Sequence, residues 1–430
     1  MKILYILMSE YIHSNLIALE RSSTLAINEH SDNLEKQGKH VFRFGFGQAP
    51  FPIPDTVVNS LKENSFRKNY LSVEGLPELR EAIANYHQNF DNVNIQSDQV
   101  LVGPGSKELM FSLQLALKGI TILPTPCWVS YSPQANILNR EIIFIETKYE
   151  DSWQLLPDQL NKAINNHTDE SKLLILNYPG NPHGCTFELE TLKELATVCR
   201  KNNIIVLSDE IYGRIHYQGK HVSIAKYYPE GTIISSGLSK WCAAGGWRLG
   251  HFSFPKELKY LQNVMTSVAS ETYSCVSTPI QYAGITAYED GSIDDYLFHC
   301  RRILETIGQY CASTLIDAGI KVRIPKGAFY IFPDFQPFAD ILNKKNIFDS
   351  KTLCKMLLDD SGVALLPGSD FGRDAKELSA RLAYVNFDGK GAIRTSMRLS
   401  NKSTLTMDHI SESVLDIING IREIINWIKS

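Results

Sequence analysis

Lys240 lies in SGLSKWCAAGGWRLG, residues 236–250, among serine, glycine and bulky apolar residues. An amine in such company is poorly solvated, which weakens its hold on a proton and makes it a better nucleophile toward a carbonyl. Arg248 offers a planar fork that suits a phosphate bidentately, and Gly245 and Gly246 let backbone approach a ligand. The stretch thus combines a covalent anchor with an anion clamp. Read alone, it also fits an ordinary loop.

Further polar groups follow apolar runs. Leu173–Asn177 ends in YPGNPHG with Asn181, and Ile204–Leu207 ends in SDEIYG with Asp209 and Tyr212. Gln99–Val102 runs into GPGSKE, where Ser106 opens a helix with Glu108 in its first turn. A glycine-rich turn into a helix leaves free N–H groups at a positive dipole end, which suits an anion, although a plain helix cap reads the same way. Trp128, in PTPCWVSY after Ile120–Leu123, suits a core aromatic or a stacking plate. A lone aspartate at a strand end is commonly a cap. Asn181, Asp209, Tyr212 and Lys240 together, all at carboxyl ends of strands, mark a ligand crevice.

The elements that must position these groups alternate apolar strands with helices, which predicts an α/β fold with a mostly parallel sheet sandwiched by helices. Residues 13–40 read as helical, and LPELREAIANYHQ as an amphipathic helix with Leu79, Ile83 and Tyr86 on one face. Val41–Gly47 alternates into a proline-rich turn. Its GFG lacks a third glycine and meets prolines, so it is no dinucleotide fingerprint. From residue 311 the texture changes: VRIPKGAFYIFPDF, a helix over Ser350–Leu358, GVALLPGSDFG and ARLAYVNF predict a smaller α+β domain. The closing helix carries Ile410, Val414, Ile417, Ile418, Ile421, Ile424, Ile425 and Ile428 as a core stripe. The expected division is a large domain over 61–310 and a small domain from both chain ends, 1–60 and 311–430.

With 430 residues the chain exceeds one small core, and 43% hydrophobic with 21% charged residues is ordinary for a soluble protein. A net charge of -4 implies no bulk attraction to nucleic acid or anionic membrane. No segment approaches the ~20 apolar residues of a membrane span. MKILYILM is too short for a signal peptide and meets Ser9-Glu10 without a cleavage-like site. Eight cysteines are scattered without CxxC or a Cys/His cluster, so reduced thiols, no metal site and a cytoplasmic protein are expected.

Taken in order, the Pro-rich loop at Gly47, YxxxxG from Tyr70, GPGSKE, PCWVSY, NYPGNPHG, SDEIY, SK then GWRLG, GAFY and PGxxFG followed by RLA resemble the fold type I, class I/II aminotransferases that depend on pyridoxal 5'-phosphate. The resemblance spans roughly residues 40–400. It implies that Lys240 bonds covalently to the cofactor and later shuttles a proton, and that Asp209 faces the pyridine nitrogen. It implies that Tyr212 and Asn181 hold the ring's phenolic oxygen and that Trp128 stacks on the ring. Gly105, Ser106, Lys107 and Arg248 form the phosphate cup. Tyr70 reaches the phosphate of a neighbouring subunit, implying a homodimer with shared sites. Gly47, Asn181 and Arg381 bind the substrate, Arg381 through its α-carboxylate.

Three departures stand out. NPTG of the family is NPHG here, placing His183 beside the site as a packing residue. The serine three residues before the lysine in many relatives is Gly237, so one hydroxyl to the phosphate is either missing or supplied by Ser236. A second RLS at Arg398–Ser400 makes Arg398 the alternative to Arg381. The expected activity is transfer of an amino group from an amino acid to a 2-oxo acid by a ping-pong mechanism. The alternatives are a β-lyase or decarboxylase on the same fold, or a non-catalytic ligand sensor. Such sensors carry an N-terminal DNA-binding domain, whereas fewer than fifty residues precede the first motif here. Leu261–Gly284 contains neither Arg nor Lys, so a side-chain carboxylate entering there has no partner charge unless Lys107 or His183 supplies one. A neutral side chain on at least one substrate follows as the expectation.

Overall fold

The computed structural model describes residues 11–17, 19, 23–167 and 170–430; MKILYILM lies outside them. Twelve strands occur among the described residues: β1 (Phe42–Arg43), β2 (Val100–Gly103), β3 (Ile120–Thr125), β4 (Ile142–Glu146), β5 (Lys172–Asn177) and β6 (Ile205–Asp209), then β7 (Thr232–Gly237), β8 (Gly250–Ser253), β9 (Tyr330–Ile331), β10 (Val363–Ala364), β11 (Leu366–Pro367) and β12 (Ala380–Ala383).

Seven of them form one sheet in the order β2-β8-β7-β6-β5-β3-β4. β4, β3, β5, β6 and β7 run parallel, and β8 is antiparallel to both β7 and β2. Alternate residues of the central strands face opposite layers, as the period of two requires. Leu174, Leu176 and Val206 pack with Leu192 and Leu195 of helix Leu189–Lys201. Leu173, Ile175, Leu207 and Ile233 pack with Leu109 and Leu113 of helix Ser106–Ala116 and Met265 of helix Lys259–Thr272. Both faces are therefore covered, which explains why these strands read as continuous apolar runs rather than as alternating ones.

The predicted helix over 13–40 is two described pieces, Ser14–Ile17 and Ser23–Lys36. The second gives way at Gly38, which has a φ of 84°. The chain ends meet where β1 pairs parallel with β10, Phe42 opposite Val363. Gly362 makes that approach possible: its φ is 71°, and a Cβ there would overlap the carbonyl of His40. β11, β12 and β9 make a second, antiparallel sheet. Helix Ser350–Ser361 starts where the Asp349 side chain accepts the Thr352 N–H. The final helix, Leu415–Lys429, buries Ile417, Ile421, Ile424 and Ile428 of the predicted stripe, while Ile418 and Ile425 are half-buried. No helix among the described residues is long and apolar enough to cross a membrane. All eight cysteines are free.

Candidate active site

The carboxyl ends of β5, β6 and β7 open onto a cavity of about 490 Å³. Its lining includes Gly47, Ser106, Lys107, Trp128, Asn181, Asp209, Tyr212, Lys240, Arg248 and Arg381, groups drawn from both ends of the chain. Gly105 sits behind Arg248: its φ is 90°, and a Cβ would overlap the guanidinium. Tyr70 is not in this lining; it is 88% exposed.

Asp209 is the last residue of β6 and is buried. Its Oδ2 accepts the hydroxyl of Tyr131 at 2.6 Å, and its Oδ1 accepts the N–H of Ile211 at 3.4 Å. Burial pushes the carboxyl up to about 6, against the Tyr131 hydrogen bond that pulls it down. Lys240 follows β7, and its Nζ donates to the carbonyl of Gly47 at 2.7 Å. Burial first and the charge of Arg381 second push the ammonium down to about 8, while Asp209 pulls it back up. A lysine near 8 has a usable neutral fraction close to pH 7, as a nucleophile needs.

Two bridges brace the other groups. Tyr212 and Tyr330 share a hydrogen bond between hydroxyls, 3.0 Å. Asn177 donates its Nδ2 to the carbonyl of Asp209 at 2.9 Å and accepts the N–H of Asn181 at 2.8 Å. Asn181 Oδ1 in turn accepts Arg381 Nη1 at 3.2 Å. Arg381, buried in β12, also donates Nη2 to the carbonyl of Gly45 and lies over the rings of Tyr330 and Phe371. Its Nε has no hydrogen-bond partner among the described residues. A buried cation with an unused donor suits an incoming carboxylate.

At the start of helix Ser106–Ala116 no side chain caps the N-terminus. Arg248, at φ 56°, donates Nη1 to the carbonyl of Gly245 at 2.9 Å. Lys107 Nζ lies 5.3 Å from the Trp128 ring centre, and burial together with Arg248 weakens its hold on a proton. Uncapped amides beside two cations suit a phosphate dianion.

The structure bears on three of these expectations. His183 lies outside the large cavity: its ring packs on Gly180, its Nδ1 accepts the N–H of Cys185 at 3.0 Å, and burial pushes it down to about 3. It is a neutral staple of the loop that carries Asn181. Ser236 is buried in β7 outside the lining, whereas Ser239 lines the cavity. A serine at 237 would place its Cβ 2.6 Å from the carbonyl of Leu249. Arg398 ends helix Gly389–Arg398 on the exterior, so Arg381 is the arginine in the cavity. Tyr131, Asn177 and Tyr330 were not singled out from the sequence. Tyr131 and Tyr330 stand within the PCWVSY and GAFY motifs, and Asn177 closes the LLILN strand.

The family model for aminotransferase class I and II matches residues 39–403. An aspartate aminotransferase of Bacillus sp. (strain YM-2) is 32% identical over 391 residues, covering 88% of this chain and 95% of its own. An asparagine–oxo-acid transaminase of Streptococcus mutans is 31% identical, covering 86% and 93%. Among solved structures, the aspartate aminotransferase from Thermus thermophilus with maleate has a TM-score of 0.80 at 27% identity, over 90% of this chain and 98% of that one. The family match over most of the chain, together with relatives above 30% identity, shows that the chain is an aminotransferase and belongs to the class I and II family.

Proposed function

We propose that this chain is a pyridoxal 5'-phosphate-dependent aminotransferase that moves an amino group between an amino acid and a 2-oxo acid by a ping-pong mechanism. The observation that carries the reading is one cavity holding Lys240, Asp209, Arg248 and Arg381. When bound, pyridoxal phosphate supplies a carbonyl for amines and an electron sink for the substrate's α-carbon.

In this reading Lys240 Nζ anchors the cofactor and, when neutral, moves the α-proton. The Asp209 carboxylate keeps a proton on the pyridine nitrogen. Tyr212 and the Asn181 amide hold the ring oxygen, and Trp128 covers the ring. Gly105, Ser106, Lys107 and Arg248 receive the phosphate, with Tyr70 of a second copy completing the cup. Arg381, beside Gly47 and Asn181, takes the α-carboxylate. The exposure of Tyr70 supports a homodimer, and the β1–β10 pairing supports dividing the chain near residues 60 and 310. A cytoplasmic setting fits the free thiols.

For the side chain we favour a dicarboxylate as one substrate. Two relatives are named for aspartate and one of them is solved with maleate, a dicarboxylate. Lys107 lines the cavity and would have to meet the second carboxylate from its place beside the phosphate, since His183 is neutral and outside. The test is a pair of half-reactions followed by the cofactor's absorbance. An amino acid should bleach the lysine-bound spectrum and release its 2-oxo acid, and a second 2-oxo acid should restore it. Release of ammonia or carbon dioxide instead would point to a lyase or decarboxylase.

A further inference from the structure

We propose that Tyr131 is a positioning residue for the reaction, setting the charge and orientation of Asp209 through its hydroxyl. The inference rests on the proposed pyridoxal phosphate reading for its functional meaning. Tyr131 begins helix Tyr131–Ile137 and is 1% exposed. Its hydroxyl donates to Asp209 Oδ2 at 2.6 Å, the short distance of a hydrogen bond to a charged acceptor. Its ring meets Trp128 edge-on, with centres 5.3 Å apart. One residue therefore touches both the carboxylate and the aromatic plate.

The environment explains why Asp209 needs this donor. The carboxylate is buried at a strand end, and its other hydrogen bond, from the Ile211 N–H, is long at 3.4 Å. Charged and titratable groups act on it from several elements: Glu210 beside it, Lys240 from the loop after β7, Tyr212 from the following turn, and Tyr131 itself. Glu210 opposes ionisation and Lys240 favours it. Tyr131 cannot answer by ionising, because burial and Asp209 hold its proton on. It stays a donor, and its bond favours the ionised carboxylate and fixes Oδ2.

Tyr131→Phe keeps the ring against Trp128 and removes only the hydroxyl. The measurement is the dissociation constant of pyridoxal phosphate from pH 5 to 8.5 for four proteins: wild type, Tyr131→Phe, Asp209→Asn and the double variant. Loss of a charge-assisted bond should weaken binding about tenfold in Tyr131→Phe. The loss should be greatest at the acid end, where an unassisted carboxyl protonates at higher pH. In the Asp209→Asn background the same change should have little effect, within about twofold. An equal loss in both backgrounds, or no loss in either, would mean that Tyr131 only packs, and the inference falls. If wild type fails to bind pyridoxal phosphate, the functional reading falls and takes this inference with it.

Discussion

Lys240 Nζ donates to the carbonyl of Gly47 across 2.7 Å, although 193 residues separate them in the chain. That bond joins the proline-rich loop of the N-terminal region to the loop after β7, and it parks the amine in the cavity. Gly47 cannot carry a side chain there, because a Cβ would overlap the Tyr330 hydroxyl that braces Tyr212. The amine is thus held close to Asp209, Arg248 and Arg381 before any ligand arrives.

Lys240→Ala is expected to abolish turnover while leaving pyridoxal phosphate bound without a covalent bond, since the phosphate and ring contacts remain. In the wild-type chain freed of cofactor, covalent capture of pyridoxal phosphate should accelerate about tenfold from pH 7 to pH 9. The reason is that an amine titrating at about 8 goes from mostly charged to mostly neutral over that range. Stopped-flow absorbance reads both results; a flat profile would show that Lys240 titrates outside that range.

Asp209→Asn should slow the half-reaction at least a hundredfold, roughly 2.7 kcal/mol, because an amide cannot hold the pyridinium proton. Stability gives an independent check. With its carboxyl raised to about 6 in the fold, Asp209 contributes stability that is present below its ordinary value of 3.8 and lost as pH rises through 6. The cofactor-free Asp209→Asn chain should therefore gain melting temperature over wild type at pH 7.5 and lose that advantage at pH 4. A constant difference across that range contradicts the assignment.

Lys107→Ala separates the side-chain readings. If Lys107 meets a substrate's second carboxylate, half-reaction efficiency with aspartate should fall about tenfold, ~1.4 kcal/mol, beyond any fall with alanine. Equal losses for both amino acids would assign Lys107 to the phosphate alone. They would also restore the neutral side chain expected from the lack of Arg and Lys in Leu261–Gly284.

Tyr70 is tested by mixing subunits. Tyr70→Phe and Lys240→Ala chains, each impaired alone, should give mixed dimers with one site that retains both groups and one that lacks both. Activity above that of either parent is the expected outcome. Mixed dimers no better than the parents would place Tyr70 outside any shared site.

Much of this protein follows from local chemistry. The apolar runs at Leu173–Asn177 and Ile204–Leu207 required a sheet buried on both faces, and polar groups after such runs had to gather at one edge. The motif order identified Lys240, Asp209, Asn181 and Arg248 as groups to be brought together. The isoleucine stripe of the last helix was equally plain, because a period of 3.6 shows its buried face directly.

Tertiary structure alone decided the rest, because its terms depend on distance across the fold. Arg381 and Arg398 sit in similar strings, and only β12 and the end of helix Gly389–Arg398 place one inside and the other outside. Ser236 and Ser239 differ by which way a strand and the loop after it turn. The bonds from Tyr131 to Asp209 and from Arg381 to Asn181 join residues that carry no mark of partnership in the chain. The position of the Lys240 titration near 8 reflects burial together with Arg381, which lies far along the chain. Sequence specifies which groups exist and which runs must be buried; desolvation and charge, which set what those groups do, are properties of the packed molecule.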